Sequence, residues 1–306
     1  MSALDLATVF YAGDALLMQL QARSIARFMD PDSIGSIKLV ENDAVGAISQ
    51  QDRDKIALQY GALRDKVEFI PREDLGYVPT DMRGWRTQQA LKLAVGQKCE
   101  QDFLVLLDCK NHLIRPADYN TFVTPDGLAR QYFSRKYDPQ QAAWLEQSWA
   151  YFGMDRCYDD ENLPSTITPY PIQTRILRDL TDEIAKRDGS IFELMNRESF
   201  GGTEFYLLLA YVQWRFDGKI DLIYKNDMPR PATMFASWPS EHSDIQRTIA
   251  QATRRETDFF ALHPNRKTML TQEEWNDILA LWNACDLTIP EVVSFYEERL
   301  VSAPCH

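Results

Sequence analysis

Asp108 and Lys110 stand two residues apart where an apolar run, Phe103 to Leu107, gives way to polar sequence. A carboxylate at such a strand end can hold a divalent cation against a diphosphate. An ammonium two residues on would repel that cation, by on the order of several kcal/mol at low effective dielectric, yet could itself stabilise developing phosphate charge. Two readings are open: a lysine leaving a strand for solvent, or a lysine that has taken over a metal's work.

Other residues could share that chemistry. On one helix Trp85, Gln88, Gln89 and Lys92 fall at i, i+3, i+4 and i+7, so they share a face. An aromatic, two amides and an ammonium suit a ring, hydroxyls and a phosphate; the alternative is a solvated face with Trp85 half-buried. Arg83 and Arg86 flank Trp85 and could add phosphate contacts. In FYAGDALL, Tyr11 could stack on a base and Asp14 make a polar contact or serve as a plain N-cap. In GGTEFY the glycines let backbone approach a ligand, and Glu204 lies in the first turn of a helix, where the dipole keeps a carboxylate ionised. Glu204 is the first candidate for a general base and Asp227, ending a late strand, the second; completion of a helix start explains Glu204 equally. His263, Arg266 and Lys267 share a late loop, FFALHPNRKT. Six tryptophans, Trp144, Trp149, Trp214, Trp238, Trp275 and Trp282, read as core, with Trp238 an alternative lining for an acceptor groove.

The elements that must position these groups are plain in the first 120 residues. Strands are expected over 6–12, 36–42, 66–72 and 102–108, and helices over 14–29, 51–61 and 82–98. Continuous apolar strands between helices imply a doubly wound α/β half with a mostly parallel sheet. Ligands then bind beyond the carboxyl ends of the strands, among Tyr11–Asp14, Pro71–Asp74 and Asp108–Lys110. After residue 120 the pattern is mainly helical: helices over 138–153, 172–189 and 270–287, another within 199–218 that follows two glycines and is capped by Thr203, an irregular loop over 157–171 and a strand over 220–227. Residues 1–120 are thus read as a nucleotide-binding half and 121–306 as the acceptor-binding part of the same globular unit.

Bulk properties exclude several classes. A net charge of -12 over 306 residues argues against a nucleic-acid surface, though it permits a local basic pocket. Five scattered cysteines without C-x-x-C spacing suggest neither zinc nor a disulfide framework, and a reducing, cytoplasmic setting follows. No G-x-G-x-x-G, signal peptide or membrane-spanning run is present, so a soluble protein is expected, able to work at the inner membrane surface.

Gly-Trp-x-x-Gln-Gln-x-x-Lys-Leu over 84–93, a strand ending Leu-Asp-x-Lys, then Arg115-Pro116 together resemble a family of bacterial GT-A-like glycosyltransferases. That family was long known only as a domain of unknown function, and its relatives include polysaccharide β-galactofuranosyltransferases. The resemblance covers roughly residues 5 to 270, strongest over 83–116, with GGTEFYLLLAYV and FFALHPN matching more loosely. It implies a GT-A fold, a UDP-sugar donor, UDP-galactofuranose among the candidates, and a saccharide or lipid-linked glycan acceptor in O-antigen or related polysaccharide synthesis. It also implies other transferase domains as partners. Asp108 and Lys110 take the place of the family's Asp-x-Asp, and this departure argues for a donor site without a divalent metal or other cofactor. On this reading transfer is inverting, with Glu204 or Asp227 as base and Lys110, His263 and Lys92 stabilising the departing diphosphate. Tyr11, Asp14, Arg83, Trp85, Gln88, Gln89, Asp108 and Lys267 complete the expected donor site. The rivals are a nucleotidyltransferase, against which Lys110 speaks, and an inactive glycan- or nucleotide-binding module.

Overall fold

The computed structural model describes residues 2–44, 46–134, 139–155 and 162–298. The first part alternates as β1 (Leu4–Phe10), α1 (Ala15–Phe28), β2 (Ile34–Glu41), α2 (Gln50–Gln59), β3 (Val67–Pro71), α3 (Gly84–Ala94) and β4 (Phe103–Asp108). β1 is buried along its whole length and β4 up to Asp108, as strands covered on both faces must be. Then come β5 (Asn111–Leu113), α4 (Tyr119–Phe122), β6 (Ala129–Gln131), β7 (Phe133–Ser134), α5 (Pro139–Tyr151), β8 (Leu163–Pro164) and β9 (Tyr170–Gln173). The chain continues through α6 (Thr174–Asp188), α7 (Ile191–Asn196), α8 (Glu204–Arg215), β10 (Tyr224–Asn226), β11 (Ala232–Met234), α9 (His242–Thr253), β12 (Phe259–Leu262), α10 (Gln272–Ala284) and α11 (Pro290–Glu297).

The central sheet has the order β3-β2-β1-β4-β9, parallel except for β9, which runs antiparallel to β4. The chain moves outward from β1 to β3 and returns on the other side of β1 to form β4. The ends of β1 and β4 therefore flank a topological switch point, where open α/β sheets bind ligands. A second sheet, β11-β12-β5, begins three residues after Asp108: β5 pairs antiparallel with β12, and β12 parallel with β11. Asp108 thus lies at the seam of the two sheets.

Two expectations change here. The loop expected over 157–171 and the helix start at 172 give way to β9, whose four buried residues are too few to show a period; residues 156–161 of that loop lie outside the described residues. The late loop FFAL is β12, a buried strand between β5 and β11. The second part is therefore helical with several short strands. It gives β9 to the first sheet while β5 serves the second, so no clean cut falls at residue 120.

One apolar core surrounds the central sheet and α6–α8; another packs α9–α11 on the second sheet. Trp149, Trp275 and Trp282 are core residues as expected, but Trp214 and Trp238 reach the surface. Cys99, Cys109 and Cys285 are unpaired thiols; Cys157 and Cys305 lie outside the described residues. Among the described residues no helix is long and apolar enough to cross a membrane.

Candidate active site

The turn after β4 is fixed from four directions. The Asp108 N–H donates to Asn111 Oδ1 at 2.7 Å, and Asn111 Nδ2 donates to the Thr168 carbonyl at 3.1 Å. From α1, Gln21 Nε2 donates to the carbonyls of Asp108 (2.7 Å) and Asn111 (3.1 Å), while its Oε1 accepts from Thr8 on β1 at 2.8 Å. His112 accepts from the Trp282 indole N–H at Nε2 (2.9 Å), which leaves the proton on Nδ1, 3.3 Å from the Lys110 carbonyl. This backbone is held before any ligand arrives.

Onto it is built a chain of four charges. Lys92, from α3, places Nζ 2.7 Å from Asp108 Oδ1 and 3.1 Å from Glu204 Oε1. Asp108 Oδ2 pairs with Lys110 Nζ and accepts from the Thr168 hydroxyl at 3.0 Å. The order is Glu204–Lys92–Asp108–Lys110, two carboxylates and two ammoniums, with no net charge. Burial works against ionising Asp108, but Lys110 and Lys92 outweigh it and hold the carboxyl well below the usual carboxylate range. Burial likewise opposes the charge on Lys92, and Asp108 with Glu204 more than restores it. The Lys110 ammonium also lies 5.5 Å from the centroid of the Phe235 ring.

The neighbouring strand ends carry the remaining candidates. Tyr11 and Asp14 lie past β1; the Asp14 carboxylate accepts from the Tyr11 N–H at 3.2 Å and makes no cap bond to α1. Asp14 thus stands at the N-cap position of α1 without capping that helix, and its carboxylate instead closes the turn Ala12–Asp14 that leads into it. Burial raises the Asp14 pKa, and raises Tyr11 to about 12 with help from Asp14 and Asp43. Asp43, at the end of β2, accepts from the Ala12 N–H at 2.6 Å and so fixes the same loop. His263, ending β12, accepts the Asn265 N–H at Nδ1, so its proton sits on Nε2; burial and the nearby Lys110 charge lower its pKa. It stays a neutral donor at pH 7.

Several expectations are corrected by these contacts. Lys92 lies beneath Asp108 with both neighbours carboxylates, which suits it to position Asp108 rather than to meet phosphate. Arg86 donates to the carbonyls of Phe200 (2.7 Å) and Gly202 (2.6 Å), so it ties α3 to the Gly-Gly loop before α8. Asp227 pairs with Arg130 on the β6–β10 sheet, and its described contacts do not reach the tetrad. The Lys267 ammonium lies 3.4 Å from the Phe295 ring centroid, drawn toward α11 by cation–π attraction. Arg266 is buried and donates to the Phe235 carbonyl, holding the loop whose ring lies by Lys110. Arg83 is exposed at the start of α3, Trp85 is half exposed against Trp144, and Gln88 is half-buried. Gln89 is buried with neither amide atom hydrogen-bonded. Among the described residues, no three His, Cys, Asp or Glu side chains are grouped to hold a metal ion.

Sequence reading missed Gln21, Asn111, His112 and Thr168, the residues that aim Asp108 and Lys110. Burial pushes the His112 pKa down to about 4. An unfolded histidine takes up its proton near pH 6.5, the folded one only near 4, so stability is complete above 6.5 and falls between them. The expected loss by pH 4 is roughly 3 kcal/mol. Urea midpoints measured across that window should slope for the wild type and flatten for His112→Gln; equal slopes would reject the assignment.

The fold is shared with known structures. The apo structure of WbbM, a bifunctional glycosyltransferase, superposes with a TM-score of 0.53 over 98% of this chain and 52% of its own, at 11% identity. The galactosyltransferase LgtC, in complex with donor and acceptor sugar analogues, gives 0.50 over 94% of this chain and 98% of its own, at 14% identity. The chain spans about half the length of WbbM. At these identities the likeness is one of fold, and that fold is the GT-A glycosyltransferase fold. No curated protein sequence matches the chain significantly. A family model described as "Family of unknown function (DUF6492)" matches residues 3–284, and the chain belongs to that family.

Proposed function

We propose that the protein is a glycosyltransferase that moves a sugar from a UDP-sugar to a bacterial polysaccharide acceptor, with inversion and without a divalent metal. The observation that carries this reading is the Glu204–Lys92–Asp108–Lys110 tetrad at the switch point of a GT-A sheet. A metal would need open carboxylate oxygens. Those of Asp108 already face two ammoniums, and a cation could bind there only by displacing one of them. The donor set does not fit a metal, so charge stabilisation falls to the lysine.

In the transfer an acceptor hydroxyl attacks the anomeric carbon, its proton passes to a base, and the bond to the diphosphate breaks. The leaving β-phosphate oxygen gains charge, which Lys110 and the Nε2–H of His263 stabilise in this proposal. Asp108 holds the Lys110 ammonium in place, and Lys92 holds Asp108. Of the two candidate bases only Glu204 belongs to the cluster, 3.1 Å from the Lys92 ammonium. UDP-galactofuranose is the donor we propose, on the resemblance to polysaccharide galactofuranosyltransferases, with action on a glycan at the cytoplasmic face of the inner membrane.

UDP release from a panel of UDP-sugars, UDP-galactofuranose included, in the presence of EDTA tests the reading. Release from one donor, stimulated by a glycan acceptor, is the expected outcome. No release from any donor, with or without metal, would overturn it. Glu204→Gln should lower transfer by about 10²-fold or more, as loss of a general base does, while UDP binding is kept. Transfer at the wild-type rate would return Glu204 to a purely structural role.

A further inference from the structure

A concavity opens along β11, next in sequence to residues that touch the tetrad. It is a cleft of about 570 Å³, in the size range of small-molecule sites. Ile167, Ala232 and Thr233 line it, with Arg230, Arg247, Arg254 and Trp238 around them. Trp238 is 46% exposed, a large apolar ring with a free face. The Arg230 guanidinium lies 5.4 Å from the Trp238 ring centroid and 6.0 Å from that of Tyr132. Among the described residues Arg230 has no carboxylate partner, while Arg247 pairs with Asp244 at 2.6 Å and Arg254 faces Glu256 at 3.9 Å. Among the described residues that line the cleft, three guanidiniums thus meet two carboxylates, in a chain of net charge -12. Thr233 is 3% exposed, and its hydroxyl has no hydrogen-bond partner.

The cleft adjoins the tetrad along two separate segments. Ile167 lines it, and the next residue, Thr168, donates to Asp108. Thr233 lines it, and two residues on is Phe235, whose ring lies by the Lys110 ammonium. Two residues of strand span about 7 Å, so a saccharide whose terminal hydroxyl reaches the tetrad has its preceding units at this cleft. An exposed indole suits the apolar face of a sugar, and a guanidinium lying by two aromatic rings suits an oxyanion gripped by two N–H groups. A neutral sugar would leave that guanidinium unmatched.

We infer that this cleft is the acceptor subsite and that the acceptor it holds is anionic, a saccharide bearing a carboxylate or a phosphate. The inference rests on the glycosyltransferase reading above and names the substrate class of that site. Its test is calorimetric titration of the whole chain with three probes: a glucuronate-containing tetrasaccharide, a neutral tetrasaccharide of the same length, and inorganic phosphate. Wild type is compared with Arg230→Gln, and with Arg247→Gln as a second surface variant.

The expected result is that the uronate probe binds at least tenfold tighter than the neutral one, less so as salt rises. Arg230→Gln removes that advantage and leaves UDP affinity unchanged. Phosphate binding with the same dependence on Arg230, and no preference for uronate, upholds the anionic subsite and assigns its anion to phosphate. Equal binding of the acidic and neutral saccharides with no Arg230-dependent phosphate binding, no binding of any probe, or indifference to both arginine substitutions overturns the proposal. Failure of the wild type to bind UDP would instead count against the glycosyltransferase reading, since the saccharide titrations are read without it.

Discussion

Lys110→Ala should lower turnover of the UDP-sugar by about 10²–10³-fold, the range for losing one preorganised group aimed at developing charge. Lys110 is the one ammonium of the tetrad with a single carboxylate neighbour; Lys92 has two. Its position is over-determined: Asp108 binds its Nζ, Phe235 flanks it, and His112 faces its own carbonyl. An ammonium held this way needs little reorganisation when the leaving oxygen gains charge, and that is the source of the expected size. UDP release measured at saturating donor would give the number. A variant within a few-fold of wild type would mean that Lys110 only closes a turn.

Lys92→Met should instead act on stability. It removes the cation between Asp108 and Glu204; Asp108 keeps Lys110, but the buried Glu204 loses its ammonium, and breaking a buried pair in this way costs about 3–5 kcal/mol because charge is left uncompensated. Urea unfolding with an unchanged slope would report it as a shifted midpoint. Adding Glu204→Gln should recover part of the loss, since one stranded carboxylate then becomes neutral; coupling of about 1–3 kcal/mol is expected for groups in contact. Additive losses would show that Lys92 and Glu204 do not share the interaction their 3.1 Å separation implies.

Much of this was legible in the sequence, and the limits have physical causes. β1 and β4 are mainly apolar runs because both faces of the sheet are covered there, and such runs survive without any period to read, whereas β2 and β3 also carry polar or exposed positions. β5, β11 and β12 have three or four residues each, and NHL or ATM carries no pattern that separates strand from loop. The Asp108–Lys110 pair was visible because both residues lie in one turn. Lys92 stood out on its face of α3 by residue type, but its contact with Glu204, more than a hundred residues away, is one that spacing on one helix cannot reveal. Gln21, His112 and Thr168 look like ordinary polar residues until the fold brings them to one turn. Asp227 and Lys267 were chosen by type and order along the chain, and the structure turns each toward another partner, Arg130 and Phe295.

The central claim is that a lysine stands where the fold's usual metal would, and calorimetric titration of UDP tests it most directly. The titration is made once in EDTA and once with Mg²⁺ or Mn²⁺. Binding of equal strength in both, weakened by Lys110→Ala, is the predicted result. Binding that requires the metal would hand the diphosphate to an ion and contradict the account.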